Sequence, residues 1–175
     1  MVGVPEPVEL SLSATRVAIR LLRSEDQPLY SRLYTDEKLL RYIMPPLSQA
    51  QAIKSFQNAL ALNSTRIWSR LFFVVEDKLS MQTMGLVGLS SADWTTRSLE
   101  FGIVLQHDAQ GQGIASEILQ AWLPQLFRTF SMRTVWLEVQ RGNSAAVAMA
   151  RRANMKRMSG IEAGDKQIWY KSSQQ

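Results

Sequence analysis

Residues 106–123 read QHDAQGQGIASEILQAWL. Gly111 and Gly113 stand one residue apart, directly ahead of a helical pattern, and an apolar run at 101–105 stands directly before them. A side-chain-poor turn between a strand and a helix serves one of two ends. It is a tight turn and nothing more, or it holds an anion on the helix N-terminus, where free backbone N–H groups and the helix dipole meet. The rest of the chain decides between them.

Working outward, the helix after the turn repeats Ile114, Ile118, Leu119, Trp122, Leu126, Phe127 and Phe130 at close to 3.6 residues, with Pro124 expected to kink it or end it early. Ahead of the turn, RIWSRLFFVVED (66–77), TMGLVGLSSA (83–92) and SLEFGIVLQ (98–106) read as three strands of an antiparallel meander. Further upstream, TRVAIRLLR (15–23) alternates as a strand. Ser24 is expected to cap a helix with Glu25 and Asp26 in its first turn. DEKLLRYI is a short helix stopped by Pro45 and Pro46, and Ser48 caps the next one. Downstream, TVWLEVQ (134–140) is a strand, NSAAVAMARRANM (143–155) a short helix capped by Asn143, and KQIWYKS (166–172) a last strand. The order is mixed α/β with no repeats or linkers. Residues 1–14, with Pro5 and Pro7, read as a flexible segment and 15–172 as a single domain.

Composition narrows the class. With 175 residues, 46% hydrophobic and 20% charged, the chain is an ordinary globular protein with a full core. No apolar run approaches a membrane span, and the start lacks a basic region followed by an apolar one, so the expectation is a cytoplasmic protein. The absence of cysteine removes disulfides, thiolate metal sites and cysteine nucleophiles, and a single histidine argues against a metal site. The net charge is +5 and the pI near 9.8, which favours anionic partners. Yet the cations are scattered and no RNA-binding aromatic signature is present, so a nucleic-acid partner is not expected.

Three phosphate-binding patterns compete for the glycine turn. A P-loop lacks its lysine. A dinucleotide fingerprint has Ser116 where the third glycine belongs, with Glu138 downstream as the acidic residue, but it follows a meander and not a βαβ repeat. The third pattern, [RQ]-x-x-G-x-[GA], is met by Gln110, Gly111, Gln112, Gly113, Ile114 and Ala115 and describes an acetyl-CoA turn, where small residues let backbone N–H groups approach a pyrophosphate.

At this point the chain resembles the GNAT N-acetyltransferases, and among them the RimJ/RimL-type group. The resemblance runs over three segments in order: TRVAIRLLRSEDQPLYSRLYTDEKLLRYIMPPLS, SLEFGIVLQHDAQGQGIASEIL and LEVQRGNSAAVAMARRANM. It implies an α+β GNAT fold, a mixed, mostly antiparallel sheet splayed around an acetyl-CoA cleft between the strand at 99–105 and that at 134–140. Ile103, Val104 and Leu105 would pair with the pantetheine arm, residues 110–115 would hold the pyrophosphate, and Asn143 would contact the cofactor as well as cap its helix. The implied partners are acetyl-CoA and an amine acceptor, with no metal, and the implied assembly is a monomer or a homodimer.

The departures are informative. Gln110 stands where many relatives carry Arg, and Ala153, Asn154 and Met155 stand where they carry L-G-F. Asn154 can take the left-handed conformation that glycine supplies there. Relatives often place a Tyr acid seven residues after the asparagine, or a Ser three after it; these positions are Ala150 and Ala146. Acetyl transfer needs a neutral amine, so a carboxylate must take a proton. Glu100, two residues before Gly102, is the first candidate base, Glu138 the second, and Ser144 or water the donor to the leaving thiolate. His107 reads as a loop residue. Tyr34 and Tyr42 are candidates for an acceptor wall or for ordinary packing. A protein or peptide α-amine is the expected acceptor; a small-molecule amine, or a CoA-binding module with little catalysis, is the alternative.

Overall fold

The computed structural model describes residues 4, 6–159 and 164–173. The strands are β1 (Leu12–Ser13), β2 (Val17–Leu21), β3 (Leu71–Asp77), β4 (Thr83–Asp93), β5 (Ser98–Leu105), β6 (Thr134–Gln140), β7 (Lys156–Arg157) and β8 (Lys166–Ser172). The helices are α1 (Gln27–Thr35), α2 (Glu37–Leu40), α3 (Gln49–Asn63), α4 (Ile114–Arg128) and α5 (Ser144–Arg152). All strands join one sheet in the order β1-β2-β3-β4-β5-β6-β8-β7. Every neighbouring pair is antiparallel except β5–β6, which is parallel. The expected mixed, mostly antiparallel sheet with a β3–β4–β5 meander is what the chain forms.

Two apolar layers cover the sheet. On one face Leu99, Phe101, Val135, Leu137 and Val139 pack with Ile118, Leu119 and Trp122 of α4. The Trp122 indole meets Phe73 edge-on at 5.0 Å. On the other face Val74, Leu86 and Val104 meet Leu29, Tyr30 and Leu33 of α1 and Phe56 and Ala59 of α3. Strand alternation therefore sends Leu99 and Phe101 to the α4 face, and Glu100 to the opposite one.

Four local expectations changed. Pro124 does not end α4, which runs on to Arg128. Pro124 is exposed and removes only one backbone donor, while Ile118, Leu119, Trp122, Leu123 and Leu126 hold the helix against the sheet. Ser24 caps nothing; Ser24–Asp26 is a 3-10 turn and α1 begins at Gln27. Asp26 turns inward, accepting from the Arg23 N–H at 2.7 Å and pairing with Arg20 at 2.8 Å. The strand expected from residue 66 begins at Leu71, because Trp68 is buried and its carbonyl accepts the Trp94 indole N–H at 2.9 Å. Finally, part of the N-terminal segment expected to be flexible packs on the domain: Leu10 is fully buried and Leu12–Ser13 pairs with β2.

Candidate active site

The parallel seam between β5 and β6 lasts for three residue pairs: Ser98↔Thr134, Leu99↔Val135 and Glu100↔Trp136. On its other side β5 keeps pairing with β4 as far as Gly85↔Leu105. From Phe101 onward the β6-facing edge of β5 thus has no ladder partner among the described residues. The sheet splays open there, with its apex at Glu100 and Trp136.

The strand feeds a 3-10 turn, His107–Ala109, and then the two glycines. Gly111 has φ +72° and Gly113 φ +78°, a left-handed conformation that L side chains resist. Gly113 is the N-cap of α4 and offers no side-chain cap, which leaves the first N–H groups of the helix unclaimed by a cap. Three side chains brace the loop. Gln110 donates from Nε2 to the Leu105 carbonyl at 3.0 Å, and Gln112 from Nε2 to the Asp108 carbonyl at 2.6 Å. Arg16 donates from Nη2 to the Gln112 carbonyl at 3.1 Å, and also binds Glu117 in the first turn of α4. Burial raises the pKa of Glu117, but its bonds to the backbone and side chain of Arg16 outweigh this and leave it below the usual carboxylate value.

A cleft of about 740 Å³ opens at the splay. Its walls include Ile103, Val104 and Leu105 of β5, Gln110, Gly111, Gly113, Ile114 and Ala115 of the turn and α4, and Asn143 and Ser144 at the start of α5. Of the residues expected to face a cofactor, only Gln112 is absent from the lining. It faces an adjoining groove of about 1000 Å³ on the far side of the turn, with Ser13, Thr15 and Gln120. Asn143 caps α5, its Oδ1 accepting from the Ala146 N–H at 3.0 Å. Ala146 reaches the cleft, whereas Ala150 is fully buried in the core, so α5 offers no proton donor at either position.

Glu100 and Glu138 lie outside this lining, on the sheet face turned to α1 and α3. Glu100 Oε2 accepts from Ser90 Oγ at 2.9 Å and from Ser91 Oγ at 3.3 Å. Glu138 is exposed and pairs with Lys166 Nζ at 2.5 Å. That bond, then the charges of Glu138 and Glu100, raise the pKa of Lys166, which puts both carboxylates within one ammonium's field. His107 remains a loop residue, with Nε2 3.0 Å from Asp36 Oδ2. Tyr34 stacks on Tyr30 with centroids 4.4 Å apart, and burial pushes its hydroxyl pKa up, as expected of packing. Tyr42 lines the cleft.

Sequence reasoning named Tyr42 but missed the rest of the other side of the mouth. Lys38, Leu39, Arg41, Tyr42 and Ile43 line the cleft from above, and Arg152 from the end of α5. Among the described residues the lining carries three cations and no carboxylate. The signal was present in KLLRYI, where Lys38, Arg41 and Tyr42 fall at i, i+3 and i+4 on one side of a helical stretch.

The family model of the acetyltransferase (GNAT) domain matches residues 16–156. The chain belongs to the GNAT acetyltransferases. Membership makes it an acyltransferase of the N-acetyltransferase class. Solved structures carry the same fold. The Vibrio cholerae spermidine N-acetyltransferase in complex with CoA and spermine superposes with a TM-score of 0.76 at 20% identity, over 91% of this chain and 96% of that one. RimL, the ribosomal L7/L12 alpha-N-protein acetyltransferase in complex with coenzyme A, gives 0.76 at 19% identity over 97% of each chain. A Bacillus anthracis GNAT-family acetyltransferase gives 0.78 at 16% identity, over 94% and 99%. No curated protein matches the sequence. In this GNAT domain, among the described residues, no group of His, Asp and Glu could hold a metal ion, and no helix is long and apolar enough to cross a membrane.

Proposed function

We propose that this GNAT domain acetylates a primary amine with acetyl-CoA as donor, and that the acceptor is a protein or peptide α-amine, as in the RimJ/RimL-type group. One observation carries the donor half. Among the described residues, the cleft joins a cation-rich, carboxylate-free lining to an open strand edge and a left-handed glycine turn at a helix start. A phosphorylated donor with an amide-containing arm needs all three: anion sites, small residues and backbone partners.

When bound, acetyl-CoA supplies the thioester whose acetyl group passes to the amine. The chain's own residues do the rest. Ile103, Val104 and Leu105 give the arm a strand edge, residues 110–115 present N–H groups to the phosphates, and Asn143 holds the α5 corner. Glu100 sits at the apex, roughly 16 Å of strand from Leu105, where an arm entering from the turn ends. Glu100 takes the proton the amine must lose, with Glu138 as its reserve, and water or Ser144 returns a proton to the leaving sulfur.

The acceptor ranking rests on acid–base chemistry. An α-amine is about two orders of magnitude richer in neutral form at pH 7 than a lysine side chain, which suits a site with one modest base and alanines at the usual acid positions. A second reading, a small-molecule amine acceptor such as a polyamine, draws on Glu100 and Glu138, two carboxylates on the same sheet face in neighbouring strands at the seam. Thiol release, measured with a short α-amino peptide, its N-blocked lysine-containing counterpart and spermidine, tests both. Preference for the free α-amine supports the first reading. Turnover of spermidine alone supports the second, and no turnover with tight acetyl-CoA binding makes the domain a CoA-binding module.

A further inference from the structure

The segment from Asp36 to Ile43 crosses the mouth of the splay. At one end Asp36 is held to His107, in the loop that leaves β5. At the other end Tyr42 rests on Gly142, in the loop that leaves β6. A Cβ built on Gly142 would lie 3.0 Å from Tyr42 Cε1. The segment is therefore a strap bridging the two strands that separate below it. It presents Lys38 and Arg41 to the same cleft as Gly111 and Gly113. Both side chains are exposed, and no carboxylate pairs with either among the described residues. Arg41 instead lies over the ring of its neighbour Tyr42, 4.9 Å from the centroid. Asp36, the N-cap of α2, is occupied in capping and accepts from the Lys38 and Leu39 N–H groups, and Glu37 in the first turn pairs with neither cation among the described residues. Two unneutralised cations on a strap anchored to both sides of the cleft form a second, opposing set of anion donors.

We infer that Lys38 and Arg41 bind the phosphates of the acyl donor from above, so that the glycine turn and the strap grip them from two sides. This rests on the proposed donor. Charge on the strap serves the donor and leaves the acceptor to be recognised at the apex. Each contact is a charge-assisted hydrogen bond to a phosphate oxygen, so the grip weakens as salt rises.

The test separates phosphate reading from shape. Calorimetric titration of the wild type, of the K38Q/R41Q variant and of an R32Q/K54Q variant with equal loss of charge elsewhere is run with acetyl-CoA and with acetyl-pantetheine, which lacks phosphate. The expected result is a loss of acetyl-CoA affinity of about 10- to 100-fold in K38Q/R41Q at low ionic strength. The same variant should show a flatter salt dependence, unchanged acetyl-pantetheine affinity and an unchanged circular dichroism spectrum. R32Q/K54Q should bind both ligands like wild type. Wild-type acetyl-CoA affinity in K38Q/R41Q overturns the inference, as does an equal loss for both ligands, which would make the strap a steric wall. A wild-type protein that fails to bind acetyl-CoA removes the proposed function first, and this inference with it.

Discussion

Arg16 and Glu117, 101 residues apart in the chain, are joined by two hydrogen bonds of 2.7 Å, one from the Arg16 backbone N–H and one from its Nε. The same guanidinium holds the Gln112 carbonyl, so the glycine turn is fixed from outside by β2's leading loop. Arg16→Ala is expected to raise the acetyl-CoA Kd severalfold by loosening the turn. Because Arg16 is about half exposed, the cost in stability is only about 1 kcal/mol or less. The pH sign follows from Glu117. Its folded pKa lies below its unfolded value, so it contributes stability above the unfolded pKa and loses it as pH falls through the folded one. Acid titration of the wild type should show this loss, and Arg16→Ala should blunt it.

Gly113→Asp should abolish acetyl-CoA binding while leaving the fold intact. The position has φ +78°, and a Cβ there meets only Arg16 Nη2 at 3.8 Å, so the domain accommodates the residue with modest strain. The added carboxylate opposes a bound phosphate at the start of α4. Calorimetry and circular dichroism read the two effects separately, and retained affinity would remove the turn from the donor site.

Glu100→Gln should keep acetyl-CoA affinity and lower kcat, most strongly at low pH, where nearly all the acceptor is ammonium and a base is needed. Ser90 and Ser91 can still bond the amide oxygen, so the local packing is conserved. A pH–rate profile identical to wild type would make Glu100 structural and pass the role to Glu138 or to bulk water.

Asp26→Asn should destabilise the domain by about 2–3 kcal/mol without touching catalysis. The carboxylate is buried and receives two bonds from Arg20, at 2.8 and 2.9 Å, besides the Arg23 N–H. Removing its charge leaves a partly buried guanidinium with Glu76 alone. Urea denaturation with an unchanged slope and a lower midpoint is the expected readout.

Local chemistry was what the sequence showed most clearly. Ser48 caps α3, Asn143 caps α5, and Asn154 takes φ +55° after the last helical turn, each read from residue type and position. The glycine turn was equally clear, because a left-handed backbone needs particular residues. Pairing length was not. Nothing in the composition of β5 and β6 says that their ladder stops at Glu100, since Leu137 and Val139 are ordinary strand residues that pair with β8 and bury their side chains, and only the β5-facing edge of their strand goes unpaired. The strap was hidden for a related reason: Lys38 and Arg41 read as a solvated helix face until the fold carries them over the splay.

The short seam between β5 and β6 also bears on how the domain endures. It divides the sheet into two plates, β1–β5 and β6-β8-β7, stitched by three residue pairs and otherwise clamped through α4 and α5. A donor lying along both open edges would be mortar between the plates. By mass action, a hundredfold excess over its Kd adds about 2.7 kcal/mol to the folded state. The lifetime of the protein in a cell would then rise and fall with the supply of its acyl donor.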